Sequence, residues 1–215
     1  ALLSGACDTL VVSTPDQEII DWANSQDIPS VLTSHSHQRA TERAKETLDI
    51  LSEDGNSYDL VLLLQGDEPQ IFPDDVTNLK DAFSGKEYES VNLIYPINAE
   101  DLKDPNIVKV IVDKDFNINF FSRSNIPYKS NYGFRQLGMI GFTNKALHYY
   151  TNLLPTPMEE IESIDMMRFL DNDFCIQGVL SSSPILGVDN PEDISKIEKM
   201  MLNDKLIGIY KDKYI

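Results

Sequence analysis

Two adjacent acids, Asp67 and Glu68, stand in the turn Gln65-Gly66-Asp67-Glu68-Pro69, directly behind the apolar run 60–64 (LVLLL). Five consecutive apolar residues read as a strand buried on both faces. Gly66 permits close approach, and Pro69 cannot continue a strand ladder. The acids therefore fall just past the carboxyl end of a central strand, where open α/β sheets bind ligands. Carboxylates so placed suit a hard cation such as Mg2+, which binds through carboxylates and substrate phosphates. Taken alone, the turn reads more plainly as solvated acids at a strand end.

Three other stretches carry chemistry-bearing side chains. In residues 37–43 (HQRATER) a loop enters a helix, whose free N–H groups favour an anion, and Arg39, Thr41 and Arg43 add donors beside them. A capped surface helix with solvated arginines is the plainer reading. In residues 121–128 (FSRSNIPY) a strand ends in a polar loop holding Arg123, either a binding cation or a surface ion pair. In residues 187–193 (GVDNPED), Asn190 can cap the following helix, which leaves Asp189 for another task or as a turn acid near the helix dipole.

The elements that must position these groups alternate. Residues 1–5 read as a helix tail stopped by Gly5, and 9–13 and 30–33 as short strands. Residues 16–24 form a short helix with Ile19, Ile20 and Ala23 on its apolar side. Ala40, Ala44, Leu48 and Leu51 recur at helical spacing and define an amphipathic helix over 39–53. Another helix starts at Pro73, with Asp74 and Asp75 in its first turn and Val76, Leu79 and Phe83 facing inward. This rhythm specifies a doubly wound, mostly parallel α/β sheet. After Ser90 the pattern changes: strands over 91–97, 108–112, 118–121 and 135–142 make an antiparallel insertion within 91–142. Helices follow over 144–151 and 159–170, a strand over 175–179, and a last helix from Asn190-Pro191. Without repeats or a linker, residues 1–215 read as one domain.

A net charge of -17 argues against nucleic acid and anionic membranes as partners, and no apolar stretch is long enough to span a bilayer. It also requires that any triphosphate ligand be met by metal ions and a local group of arginines or lysines. Cys7 and Cys175 lack metal-ligand spacing and read as reduced, buried thiols of a cytoplasmic protein.

QGDEP, the HxxxTER stretch, DPNxVKV at 104–110, FFSRxxIPY at 120–128, RxLG at 135–138 and the GVDxPED ending occur in one order along the whole chain. In this the sequence resembles the 3-deoxy-manno-octulosonate (Kdo) cytidylyltransferases. The resemblance implies a Rossmann-like nucleotidyltransferase fold. It also implies a reaction in which CTP and a 2-keto-3-deoxy sugar acid give a CMP-sugar and pyrophosphate for cell-surface polysaccharide synthesis. It further implies Mg2+ on Asp67 and Asp189, and a nucleotide held by Gln65, Arg39, Thr41 and Arg43. The sugar acid would face Arg123, Arg135, Gln136 and Asp165. A cytoplasmic homodimer is implied as well.

The chain departs from the family pattern in places. HxSGTER has Arg39 and Ala40 where serine and glycine are expected, RHLG has Gln136, and ExxEQLR reads Glu162 to Arg168 with Met166 in place of glutamine. These changes bear on the identity of the sugar more than on the chemistry, and the expectation is a less polar or differently shaped sugar pocket. A synthetase for sialic-acid-like sugars and a catalytically silent binding homologue are the alternative readings. The family's opening strand and loop, IPARxxSxRxPGKPL, has no counterpart. The expected consequence is that the strand at 9–13 and the strand at 60–64 are not directly paired and leave a slot between them.

Overall fold

In this computed structural model, residues 1–53, 55–85, 88–188 and 190–214 are described, with side chains described as far as Tyr210. After a single 3-10 turn at Leu2–Ser4, closed by Gly5 in the left-handed conformation, come β1 (Val12–Thr14), α1 (Gln17–Ser25), β2 (Ser30–Leu32) and α2 (Ala40–Ser52). Then follow β3 (Leu60–Leu64), α3 (Pro73–Asp81), β4 (Ser90–Asn98), β5 (Lys109–Val112), β6 (Ile118–Ser122) and β7 (Tyr132–Thr143). The chain ends with α4 (Asn144–Tyr150), α5 (Pro157–Glu162), α6 (Met166–Leu170), β8 (Ile176–Leu180), α7 (Pro191–Met201) and α8 (Ile207–Tyr214).

The axis of the molecule is β7, twelve residues long. One edge pairs antiparallel with β4 along most of its length. The other edge is shared: β5 takes the first half, through Lys109↔Arg135 and Val110↔Phe134, and β3 takes the second, from Leu64↔Met139 to Leu60↔Thr143. Outside these, β6 pairs with β5 and β8 runs parallel to β4. The α/β architecture is thus mixed in strand direction: β3, β4 and β8 share one sense and β7 opposes them. The insertion at 91–142 is continuous with this sheet.

A separate parallel pair, β1–β2, carries the first βαβ unit. As expected, β1 is not paired with β3. A cavity of about 920 Å3 separates them, and α2 packs on both strands. This corrects the expectation that β3 is buried on both faces. Each of its five residues is half-buried, because one side borders the cavity.

Apolar residues divide on the two sides of the sheet. One cluster joins α2, α4 and α6 through Leu48, Leu147 and Phe169, and the other joins α3 to β4 and β7 through Val76, Leu79, Val91 and Met139. Three further expectations are corrected. The helix over 159–170 is two helices, α5 and α6, broken where Ser163 adopts φ 55°. Ile19 is 41% exposed, since only Ile20 and Ala23 of α1 reach the core. Both cysteines are free and exposed rather than buried, Cys7 in the segment lining the cavity and Cys175 just ahead of β8.

Candidate active site

The end of β3 meets β7 where β7 passes from β5 to β3. The Gln65 N–H donates to the Gly138 carbonyl at 3.0 Å, and the Gln136 N–H donates to the Val108 carbonyl at 2.9 Å. Gly138 is needed for this approach: a Cβ there would lie 3.0 Å from Cβ and Oε1 of Gln65. The QGDEP turn and the RxLG strand therefore meet at Gln65 and Gly138. Asp67 is exposed and its carboxylate accepts no hydrogen bond from a described residue, so a hard oxygen donor is presented at the strand end. The Val188 N–H donates to the Asp67 carbonyl at 2.8 Å. The chain segment that leads into Asp189 is thereby tied to the Asp67 turn, while Asp189 itself lies outside the described residues. Behind it, Asn190 and Asp193 form a reciprocal cap on α7.

The two arginines of the insertion differ. Arg123 is committed to the protein: Nε donates to the Glu162 carbonyl at 3.0 Å, and Nη1 donates to the carbonyls of Pro105 and Asn106. Beneath it, the fully buried Lys109 donates to the carbonyls of Asp104, Ile107 and Arg123. Removal from water moves the Lys109 pKa below its ordinary value. Arg135, in contrast, has a buried Nε with no partner among the described residues and no ion pair there. A half-buried guanidinium left unsatisfied calls for an anionic acceptor.

The start of α2 joins α5 and α6 through charge. The buried Arg168 and Glu159 form a bidentate pair at 2.6 Å for both contacts. Arg39 reaches Glu159 at 3.5 Å and Ser163 at 3.4 Å. Thr41, fully buried, donates to Asp165 at 2.7 Å. Burial raises the Asp165 pKa, and the Thr41 hydrogen bond acts against that shift. Arg168 also lies over the Tyr150 ring, 4.3 Å from its centroid. Arg43 donates to the Thr33 hydroxyl and the Ser34 carbonyl, and it borders the cavity. In this structure Arg39, Thr41 and Arg43 therefore all have protein partners. Met166 is fully buried in the core cluster of α4 and α6.

Sequence reasoning passed over Gly138 as a contact point, Lys109, and Asn92. The signal for Asn92 was a polar residue inside the apolar run of β4, where a buried amide must be satisfied.

A mixed sheet with helices on both sides and polar turns at the end of β3 is a nucleotidyltransferase fold. Comparison with known proteins makes this specific. A family model described as Cytidylyltransferase matches residues 1–180. The 3-deoxy-manno-octulosonate cytidylyltransferase of Fusobacterium nucleatum is 32% identical, with 88% of this chain and 78% of that protein covered. The protein named 3-deoxy-manno-octulosonate cytidylyltransferase, mitochondrial, from Arabidopsis thaliana is also 32% identical, over 93% of this chain and 70% of that one. The structure of CMP:2-keto-3-deoxy-manno-octonic acid synthetase complexed with CTP superposes with a TM-score of 0.81 at 26% identity, covering 90% of this chain and 80% of that chain. The chain belongs to the cytidylyltransferase family, among the 3-deoxy-manno-octulosonate cytidylyltransferases.

Proposed function

We propose that the protein transfers a cytidylyl group from CTP to Kdo or a closely related 2-keto-3-deoxy sugar acid, releasing pyrophosphate. The observation that carries this reading is the 2.8 Å bond from Val188 to Asp67, which joins the two segments bearing the family's acids. Asp67, open and acceptor-only, fits a hard cation. With Asp189 it would hold Mg2+, which when bound would neutralise the triphosphate and orient the attacking hydroxyl. No covalent intermediate on the protein is required, so the remaining work is positioning and charge placement.

In this reading Gln65 faces the nucleotide, and Arg39, Thr41 and Arg43 frame its pocket while locking α2 in place. Arg135 receives the carboxylate of the sugar acid, and Gln136 faces another part of the sugar. Arg123 and Asp165 shape the sugar side through the loop and helix they hold. Among the described residues no helix is long and apolar enough to cross a membrane. We place the enzyme in the cytoplasm, in keeping with two free cysteines. We also propose a homodimer, supported by Tyr128 and Tyr132, which are 86% and 71% exposed at the mouth of the insertion. Size-exclusion chromatography with light scattering tests it, and a monomer at working concentrations refutes it.

The decisive experiment is pyrophosphate release from CTP with a panel of sugar acids. Asp189→Asn should lose most turnover while its melting temperature holds, because Asn190 and Asp193 still cap α7. Arg135→Gln should raise KM for the sugar acid and leave KM for CTP unchanged. Absence of turnover with every sugar acid ends this reading.

A further inference from the structure

β4 and β7 slip against each other at one point. Asn92 pairs with Ile140 and Ile94 pairs with Gln136, so Leu93 alone stands opposite residues 137–139 of β7. The slip turns strand carbonyls towards the side chain of Asn92, which is fully buried. Its Nδ2 donates to Leu93 O at 3.1 Å, Leu137 O at 3.0 Å and Met139 O at 3.2 Å. These three are obligate acceptors, so the amide has one permissible orientation; turned over, Oδ1 would oppose three carbonyl oxygens. Oδ1 must therefore point away from the slip, where it accepts from Gln136 Nε2 at 2.6 Å.

Polarity passes outward through this contact. With Gln136 Nε2 engaged by Asn92, the Gln136 amide has one orientation too. Its Oε1 accepts no hydrogen bond from a described residue and is not among the buried unpaired atoms. We infer that Asn92 is a positioning residue that makes Gln136 an obligate acceptor, through which the site reads a hydroxyl of the sugar acid. This rests on Gln136 facing the sugar acid, as proposed above. A hydroxyl can donate to that oxygen, whereas fluorine or a carbonyl at the same place cannot.

The test compares Kdo with its monodeoxyfluoro analogues, in which one hydroxyl donor is replaced by fluorine, by kcat/KM for pyrophosphate release. One analogue should be disfavoured by about tenfold or more, the range for a buried hydrogen-bonding group left unmatched. In Asn92→Ala the Gln136 amide is free to turn and that discrimination should collapse towards unity. A residue that merely supports the strands would lower both substrates alike and leave the ratio unchanged, which would overturn the inference. Gln136→Leu, which leaves the buried Asn92 amide in place, should abolish the same discrimination and carries the comparison if Asn92→Ala does not fold. Exchange of the Gln136 side-chain amide protons, followed by NMR without substrate, reads the Asn92 contact independently of turnover. Protection in the wild type supports the inference, and exchange at the rate of a free glutamine refutes it. A chain that protects this amide yet fails to use CTP would refute the cytidylyltransferase reading and leave the polarity of Gln136 standing.

Discussion

Two glycines of β7 separate binding from stability. At Gly138 an added Cβ would crowd Gln65 at 3.0 Å, while at Gly141 it would meet Val91 Cγ2 at 2.7 Å, Phe83 at 2.8 Å and Leu62 at 3.1 Å. The neighbour at Gly138 is a side chain at the edge of the site, and those at Gly141 are packed core. Gly138→Ala should thus reduce CTP turnover by about tenfold through displacement of Gln65, with little change in melting temperature. Gly141→Ala should instead cost about 1–3 kcal/mol of stability, measured by urea unfolding. A large stability loss at Gly138 with unchanged kinetics would show that Gln65 is not a ligand-facing side chain. At this scale the sequence was informative about residue types: QGDEP and RxLG were recognisable without coordinates. It did not reveal that Gly138 and Gln65 touch, because they are far apart in the chain and the contact depends on β3 and β5 sharing one edge of β7. Nor did it distinguish Arg123 from Arg135, since satisfaction by backbone carbonyls has no signature in composition.

The joint between α2, α5 and α6 is where element-level forecasts fail and where the structure is most specific. The sequence reads 159–170 as a single helix, but Ser163 turns left-handed and Thr156 with Glu159 starts a separate short helix through a reciprocal cap. A break of this kind is set by what the carboxylates must reach. Glu159 serves Arg168 and Arg39 at once, and Asp165 serves Thr41. Glu159→Ala leaves the buried Arg168 charge uncompensated and should cost about 3–5 kcal/mol, read from denaturant midpoints. Loss of under 1 kcal/mol would mean that Arg168 finds water or Glu42, 3.8 Å away, as a substitute.

Asp165 gives the pH dependence of the same joint. Its folded pKa is raised above the ordinary carboxylate value by burial, so the native state binds the proton more tightly than the unfolded chain. The resulting stabilisation is present below the unfolded pKa near 3.8 and is lost as pH rises through the folded value. Asp165→Asn keeps an acceptor for Thr41 and removes the titration. Relative to the wild type it should gain stability as pH rises above the unfolded value and lose that advantage in more acidic solution. Parallel stability curves for the two proteins across this range would show that the carboxylate is not held out of water.

At the scale of the whole molecule, the helix and strand order was readable because caps, prolines and β-branched runs mark ends locally, as at Pro73 and Asn190-Pro191. Strand direction and burial were not, because they depend on which strand lies next to which. The consequence is a molecule of two unequal parts. One is the six-stranded sheet built on β7; the other is the β1–β2 pair with α1. β1 and β2 have three residues each, and β1 is paired on one side while the other faces the cavity of about 920 Å3 that separates it from β3. A two-stranded unit is marginal alone, and here α2 connects it to the rest. Its amides should open without the main sheet. Native-state hydrogen exchange should give β1, β2 and α1 opening free energies a few kcal/mol below those of β4 and β7, nearly insensitive to low denaturant. Val91 and Met139, both fully buried between the main layers, should report the global unfolding energy. If β1 and β2 merged into that same isotherm, the first βαβ unit would be bound to the sheet as firmly as β3 is, and the cavity between them would be a rigid part of the fold rather than the seam along which it first opens.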